Sequence, residues 1–305
     1  MKKDLLTLAD LEAADFDLFF SRAIELKKRR MQGISDPSLT GRTVGLIFEK
    51  ASTRTRISFQ AAAAQLDGTS LFISAADTQL ARDEPIADTA RVLERYLDAL
   101  VLRTFSQQMQ ENFARIASIP VINALTDMYH PCQVLSDLMT VTEYKGDCRG
   151  VKIAWIGDGN NMANSWINAA ARLGFELVLA CPQDYMPDKG VLDAALACRG
   201  NKIRMVTDPA EAAKDADVVN TDVWASMGQE QEAGKRRKVF APYQVDRSLM
   251  AAAGKDAIVM HCLPAHKGEE ITEDVFESEQ SVVWEQAENK LHMHKAILEI
   301  LIAGK

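Results

Sequence analysis

A chain of 305 residues, 47% hydrophobic and 26% charged, has room for about two domains and the balance of a folded protein, which excludes fibrous and disordered classes. Its formal net charge of −8 argues against binding nucleic acid or an anionic membrane over its surface as a whole, though a local basic pocket for an anionic substrate stays open. Five scattered cysteines, odd in number and without a CxxC pair, read as reduced thiols of a cytoplasmic protein. Asp4, Asp10, Glu12 and Asp15 interrupt any secretory core near the N-terminus, and no apolar run approaches the roughly 18 residues of a membrane span.

Residues 11–31 carry apolar positions at helical spacing and end in Lys27-Lys28-Arg29-Arg30, a basic turn that suits the negative end of a helix dipole and reads as solvated. A strand follows at 43–48, an alanine-rich helix at 54–66, and further strands at 69–73, 99–102 and 121–123 with helical stretches between. A helix at 131–144 leads to the polar break KGDCRG, where we place a domain boundary near residue 148. The alternation then restarts, with strands at 151–156, 177–180, 203–206, 218–221 and 257–260 and a last helix at 285–302. Repeated strand–helix alternation predicts an α/β fold of two domains, each a parallel sheet flanked by helices, with a cleft between them. Ligands of such sheets bind beyond the carboxyl ends of strands, so the strand ends are where chemistry is expected.

Polar motifs do follow the strands. In FEKASTRTRISF, residues 48–59, Ser52, Thr53 and Thr55 are hydroxyl residues at a helix start and can cap it. Arg54 and Arg56 beside free N–H donors and a positive dipole end suit a phosphate dianion, with a plain helix cap as the alternative. Arg103 closes an apolar strand and is either a cleft residue or half of a structural ion pair. His130 precedes Pro131, and Gln133, three residues on, can share its helix face. A neutral histidine there could donate to a carbonyl oxygen or cap its own helix.

IGDGNNMANSW, residues 156–166, resembles a dinucleotide fingerprint only weakly, because Met162 stands at the third glycine position and no acidic residue ends the second strand. What remains is Asn160-Asn161 at a helix start, able to bind a small polar ligand. Asp222 ends another strand and could hold an ammonium group. The charged run QEQEAGKRRK after Ser226-Met227-Gly228 reads as a mobile loop. In VMHCLPAH, residues 259–266, neighbouring side chains of an extended segment point apart, so His261 is a poor base for Cys262, and a ligand-lining thiol and backbone carbonyl fit better. His292 and His294 are two apart on a helix, which is not metal-ligand spacing, so neither metal nor organic cofactor is expected.

Taken together, STRTR at 52–56, HPCQ at 130–133, SMG at 226–228 and HCLP at 261–264 resemble the carbamoyltransferase family, its ornithine branch in particular, over nearly the whole chain. The resemblance implies carbamoyl transfer from carbamoyl phosphate to the side-chain amine of ornithine, giving citrulline and phosphate. It assigns residues 1–148 to carbamoyl phosphate, with the last helix (286–305) returning to that domain, and residues 149–285 to ornithine. Ser52, Thr53, Arg54, Thr55 and Arg103 would hold the phosphate, while His130, Gln133 and residue 290 would address the carbamoyl end. Gln79 is similar to a residue that reaches a neighbouring subunit's site in trimers. Asn161, Asp222, Ser226 and Met227 would hold ornithine, and Cys262 with the carbonyl of Leu263 would line the pocket. Catalysis would rest on Arg54, Thr55, Arg103, His130 and Cys262. Two departures stand out: Gln79-Leu80-Ala81-Arg82-Asp83-Glu84 where the ornithine branch reads QLGRGE, and Lys290 where it carries arginine. A related amine such as putrescine or an acylated ornithine, a nicotinamide-dependent reaction, and a non-catalytic protein of the same fold are the competing readings.

Overall fold

The computed structural model describes residues 3–74, 84–225 and 230–304. The chain forms two compact units, Met1–Met139 with Asn289–Lys305, and Thr140–Glu288. Both are parallel α/β layers, as the strand–helix alternation predicts.

In the first unit, α1 (Ala13–Met31) precedes β1 (Thr43–Phe48), α2 (Thr53–Gln65), β2 (Thr69–Ser74), α3 (Ile86–Leu93), β3 (Ala99–Arg103), α4 (Gln107–Ile116), β4 (Val121–Leu125) and α5 (Pro131–Lys145). The strands pair in parallel in the order β2-β1-β3-β4. The runs TVGLIF, ALVLR and VINAL are almost continuously buried, as strands with both faces covered must be. In edge strand β2, Thr69 and Leu71 are exposed and the other residues half-buried instead. One part of the core packs Ile47, Leu100, Leu102 and Val121 against Phe113 of α4 and Ala90 of α3.

The second unit runs β5 (Lys152–Ile156), α6 (Asn161–Leu173), β6 (Glu176–Ala180), α7 (Lys189–Leu196), β7 (Ile203–Val206), α8 (Pro209–Ala213), β8 (Val218–Thr221), α9 (Ala233–Phe240), α10 (Arg247–Ala252), β9 (Ile258–His261) and α11 (Glu273–Phe276). Its five strands are parallel in the order β7-β6-β5-β8-β9. Helix α12 (Val283–Ala303) closes the chain. No helix among the described residues is long and apolar enough to cross a membrane.

The strand order reverses between β1 and β3 in one sheet and between β5 and β8 in the other. At such a switch point the flanking connections leave to opposite faces and open a crevice at the carboxyl ends. Those four ends lead into the STRTR motif, Arg103, the GDGNN motif and Asp222.

Helices α5 and α12 each run on from one compact unit into the other. The structure differs from the sequence reading in two places. Part of QEQEAGKRRK is not a loop: α9 covers Ala233–Phe240 and buries Arg236 and Phe240. The basic turn of α1 is only partly solvated, since Lys27 Nζ donates to Asn289 Oδ1 (2.8 Å) and Arg29 Nε to Asp36 Oδ1 (2.6 Å).

Gly159 shows how tightly the loop after β5 is built. A Cβ there would stand 2.2 Å from Pro187 N and 2.6 Å from Tyr185 O, both backbone atoms that cannot swing away. Gly159→Ala will destabilise the fold by about 3 kcal/mol, read as a shift of the urea midpoint at unchanged slope.

Candidate active site

In the first unit the site grows from the start of α2. Ser52 caps it, its Oγ accepting the Thr55 N–H at 3.3 Å. The N–H groups of Thr53 and Arg54 lack an intrahelical acceptor by helix geometry and sit at the positive end of the dipole. Thr55 is buried and Arg54 exposed. Arg54 and Arg56 do not form one fork. Two residues on a helix are about 200° apart, and the Arg56 guanidinium lies over the Phe72 ring, 3.5 Å from its centroid.

Arg103 stands at the end of β3, beside Phe48 of β1. The pairing of β3 with β4 shifts between Leu102 and Arg103, a local irregularity of the kind that re-aims a side chain at a sheet rim. Arg103 is buried, as are His130 and Gln133 at the start of α5. Lys290 of α12 is also buried, and its Nζ donates to Gln133 Oε1 (2.7 Å), whose Nε2 donates to Asp137 Oδ1 (2.8 Å). Burial first, then the cations Lys290 and Arg103, hold the His130 pKa well below its ordinary value, so its imidazole is neutral. The structure thus brings Arg103, His130, Gln133 and Lys290 together.

Two residues of this unit escaped the sequence reading. Lys50, buried, pairs with Asp127 and lies 4.3 Å from the centroid of the Phe105 ring. His294 stacks on Phe59 (centroids 3.7 Å apart), with Nδ1 2.9 Å from Ser58 Oγ. Ser58 Oγ already donates to the Thr55 carbonyl (3.1 Å), so the ring nitrogen must be the donor, which ties α12 to the second turn of α2. Their only signal was Lys50 next to the STRTR motif and a histidine one turn beyond Lys290.

Burial and Lys290 also lower the His294 pKa well below 6.5. A histidine kept neutral when folded stabilises fully above its unfolded pKa of about 6.5 and loses that contribution as pH falls below it. His294→Gln will therefore be less stable than the parent at pH 7.5, and the gap will close by about 1 kcal/mol per pH unit below 6.5. Melts of both proteins from pH 5 to 8 check this.

In the second unit, Asn160 caps α6, its Oδ1 accepting the Met162 and Ala163 N–H groups (2.9 and 3.3 Å). Its Nδ2 donates to Asp222 Oδ2 (2.9 Å). Asp222 Oδ1 accepts from Val223 N (2.8 Å) and Cys262 Sγ (3.2 Å), so the buried carboxylate is fixed by three donors. Asn161 is the first residue of α6 and half-buried. Leu263, next to Cys262, takes a left-handed conformation (φ 60°), with its N–H given to His261 Nδ1 (2.9 Å). That bond leaves Nε2 of His261 as the donor to Glu270 Oε1 (3.0 Å), so both ring nitrogens are engaged and neither activates Cys262. Gln79, Ser226 and Met227 lie outside the described residues.

Two groups of metal-ligating atoms occur among the described residues: Asp222, His261 and Cys262, and His266, Glu269 and Glu270. The first would have to surrender the bonds just given, and in the second Glu270 Oε1 accepts the His266 N–H while Glu269 pairs with Arg237. A dinucleotide fits no better, since backbone of residues 185–187 occupies the face that the second glycine of the fingerprint leaves for a pyrophosphate.

Two switch-point sites, one cationic at a helix start and one built on a fixed carboxylate, match a known arrangement. Residues 3–143 match the model for the aspartate/ornithine carbamoyltransferase carbamoyl-P binding domain, and residues 149–301 that for the Asp/Orn binding domain. The chain belongs to the aspartate/ornithine carbamoyltransferase family. It is 56% identical to the ornithine carbamoyltransferase of Syntrophus aciditrophicus (strain SB) over 302 residues, 99% of this chain and 100% of that protein. Among solved structures of this carbamoyltransferase family, the ornithine carbamoyltransferase from Pyrococcus furiosus is similar with a TM-score of 0.94 at 48% identity, covering 99% of this chain and 97% of that one. The anabolic ornithine carbamoyltransferase from Campylobacter jejuni gives 0.93 at 41% identity, with all of both chains covered.

Proposed function

We propose that the protein transfers the carbamoyl group of carbamoyl phosphate to the side-chain amine of L-ornithine, forming citrulline and phosphate. It does so as a cytoplasmic enzyme of arginine biosynthesis, assembled as a homotrimer or a set of trimers. The observation that carries the reading is the buried cluster of Arg103, His130, Gln133 and Lys290 in the unit whose α2 presents a capped, arginine-bearing helix start. That combination suits a ligand with a phosphate at one end and a carbonyl at the other. The name of the Campylobacter jejuni relative supports the anabolic direction.

Ser52, Thr53, Arg54, Thr55 and Arg103 hold the phosphate, and His130, Gln133 and Lys290 face the carbamoyl group. Asp222 and Asn161 receive ornithine, with Ser226 and Met227, and Cys262 and the Leu263 carbonyl line its path. Ornithine must lose its ammonium proton first, because an amine of this kind has a pKa of about 10.4 in water. The neutral nitrogen then bonds to the carbamoyl carbon, and charge gathers on the carbonyl oxygen. Thr55, Arg103 and the neutral His130 donate to that oxygen, each lowering the barrier by about 3 kcal/mol. Collapse of the adduct breaks the bond from carbon to the phosphate oxygen, phosphate leaves toward Arg54 and the helix start, and the nitrogen sheds its remaining extra proton.

Phosphate release, followed with ornithine, putrescine, acetylornithine and aspartate in parallel, tests the substrate. Turnover confined to ornithine is the expected result. Turnover with another amine keeps the chemistry and overturns the acceptor.

A further inference from the structure

We propose that His294 is a positioning residue for carbamoyl phosphate, holding the anion-binding start of α2 at a set distance from the start of α5. His294 is buried on α12 and stacks on Phe59 of α2, with the ring planes 13° apart. Its Nδ1 donates to Ser58 Oγ (2.9 Å), and Ser58 Oγ donates in turn to the Thr55 carbonyl (3.1 Å). Thr55 is held from its other side as well, because its N–H is taken by Ser52 Oγ. One histidine therefore grips two adjacent residues in the second turn of α2, and through Ser58 it reaches a residue that the first turn offers to the substrate.

Helix α12 carries a second contact one turn earlier. Lys290 and His294 are four residues apart, so they share a helix face about 6 Å apart along its axis. Lys290 Nζ donates to Gln133 Oε1 in the first turn of α5 (2.7 Å). Lys27 of α1 steadies the same stretch of α12 by donating to Asn289 Oδ1 (2.8 Å). One rigid helix thus touches the element at the phosphate end and the element at the carbamoyl end. A small ligand that spans both ends depends on their spacing, and a misplacement of about 1 Å can cost about a hundred-fold in rate.

The imidazole suits this task. Burial first, then Lys290, hold its pKa well below the ordinary value, so the ring is neutral and has a single N–H, which is committed to Ser58. The stack on Phe59 fixes the plane of the ring, and with it the direction of that N–H. An aliphatic side chain of similar bulk would fill the space and supply no direction.

The inference rests on the reading of the α2 start and Gln133 as the two ends of the carbamoyl phosphate site, and its test separates the two. In His294→Leu, the Kd of carbamoyl phosphate without amine and its KM will both rise about five-fold or more, while the KM for ornithine stays within about two-fold. Ser58→Ala will shift carbamoyl phosphate in the same direction. The double variant will be no worse than about the larger single effect, because both changes break one link. His294→Gln, whose amide can donate to Ser58, will recover most of the affinity. Amide hydrogen exchange at residues 55–59 will accelerate in His294→Leu and Ser58→Ala. An unchanged affinity for carbamoyl phosphate, an equal rise of both KM values, or single effects that multiply in the double variant overturns the inference, even where the melting temperature falls. If His294→Leu does not fold, Ser58→Ala carries the same comparison. If the parent binds carbamoyl phosphate without passing it to ornithine, the functional reading fails and the Kd values still decide the inference. If the parent does not bind carbamoyl phosphate, both fail.

Discussion

Arg54→Ala will lower kcat by about two to three orders of magnitude and leave the melting temperature nearly unchanged. Arg54 is exposed in the first turn of α2, so its removal opens no cavity, and alanine is the best helix former. What is lost is a guanidinium placed where the helix dipole and free N–H groups already favour an anion. A phosphate that gains charge as it leaves draws more on that group in the transition state than in the ground state, so the loss falls on kcat as well as on kcat/KM. Arg54→Lys will be intermediate, keeping charge without the fork. Steady-state kinetics beside a thermal melt checks both halves. Turnover within about three-fold of the parent would remove the anion role of this helix start.

Lys290→Met is expected to cost about a hundred-fold in kcat/KM, with the KM for carbamoyl phosphate rising. Here stability falls too. Lys290 is buried and donates to Gln133 Oε1, and Gln133 passes the polarity on to Asp137. Removing the donor leaves a buried amide oxygen without it, at a cost of about 1–3 kcal/mol. The imidazole of His130 loses one of the two cations that hold it neutral, but burial, the larger cause, remains. Its pKa therefore rises toward the ordinary value without reaching it, and an acid limb moves up in the pH–rate profile. Lys290→Arg will keep most of the activity, because the guanidinium also donates to Gln133 and adds the fork that the family carries there. A pH–rate profile of Lys290→Met with an unmoved acid limb would show that His130 does not sense this position.

Much of the fold was legible because parallel strands buried on both faces are short continuous apolar runs between helical stretches. Strands β1, β7 and β8 begin and end at the residues read from the sequence. Candidate site residues stood out where they follow a strand directly: Ser52 through the capping pattern, Arg103 and Asp222 as polar residues closing strands. Helix α9 was not legible, because Arg236 is buried inside a run whose composition is that of a solvated loop, and burial of an arginine depends on an acceptor 78 residues away. Arg54 and Arg56 do not face one anion together, because residues two apart on a helix point about 200° apart. His294 and Glu270 were missed because each acts through another side chain, which no local pattern records.

The most direct test of the account is the product itself. Carbamoyl phosphate labelled with carbon-13 in the carbamoyl group, mixed with ornithine and the protein, will give a citrulline signal that grows in step with released phosphate, one for one. The same mixture with Arg54→Ala will give almost none. Phosphate release without labelled citrulline, or no release at all from the folded protein, would contradict carbamoyl transfer as the function of this chain.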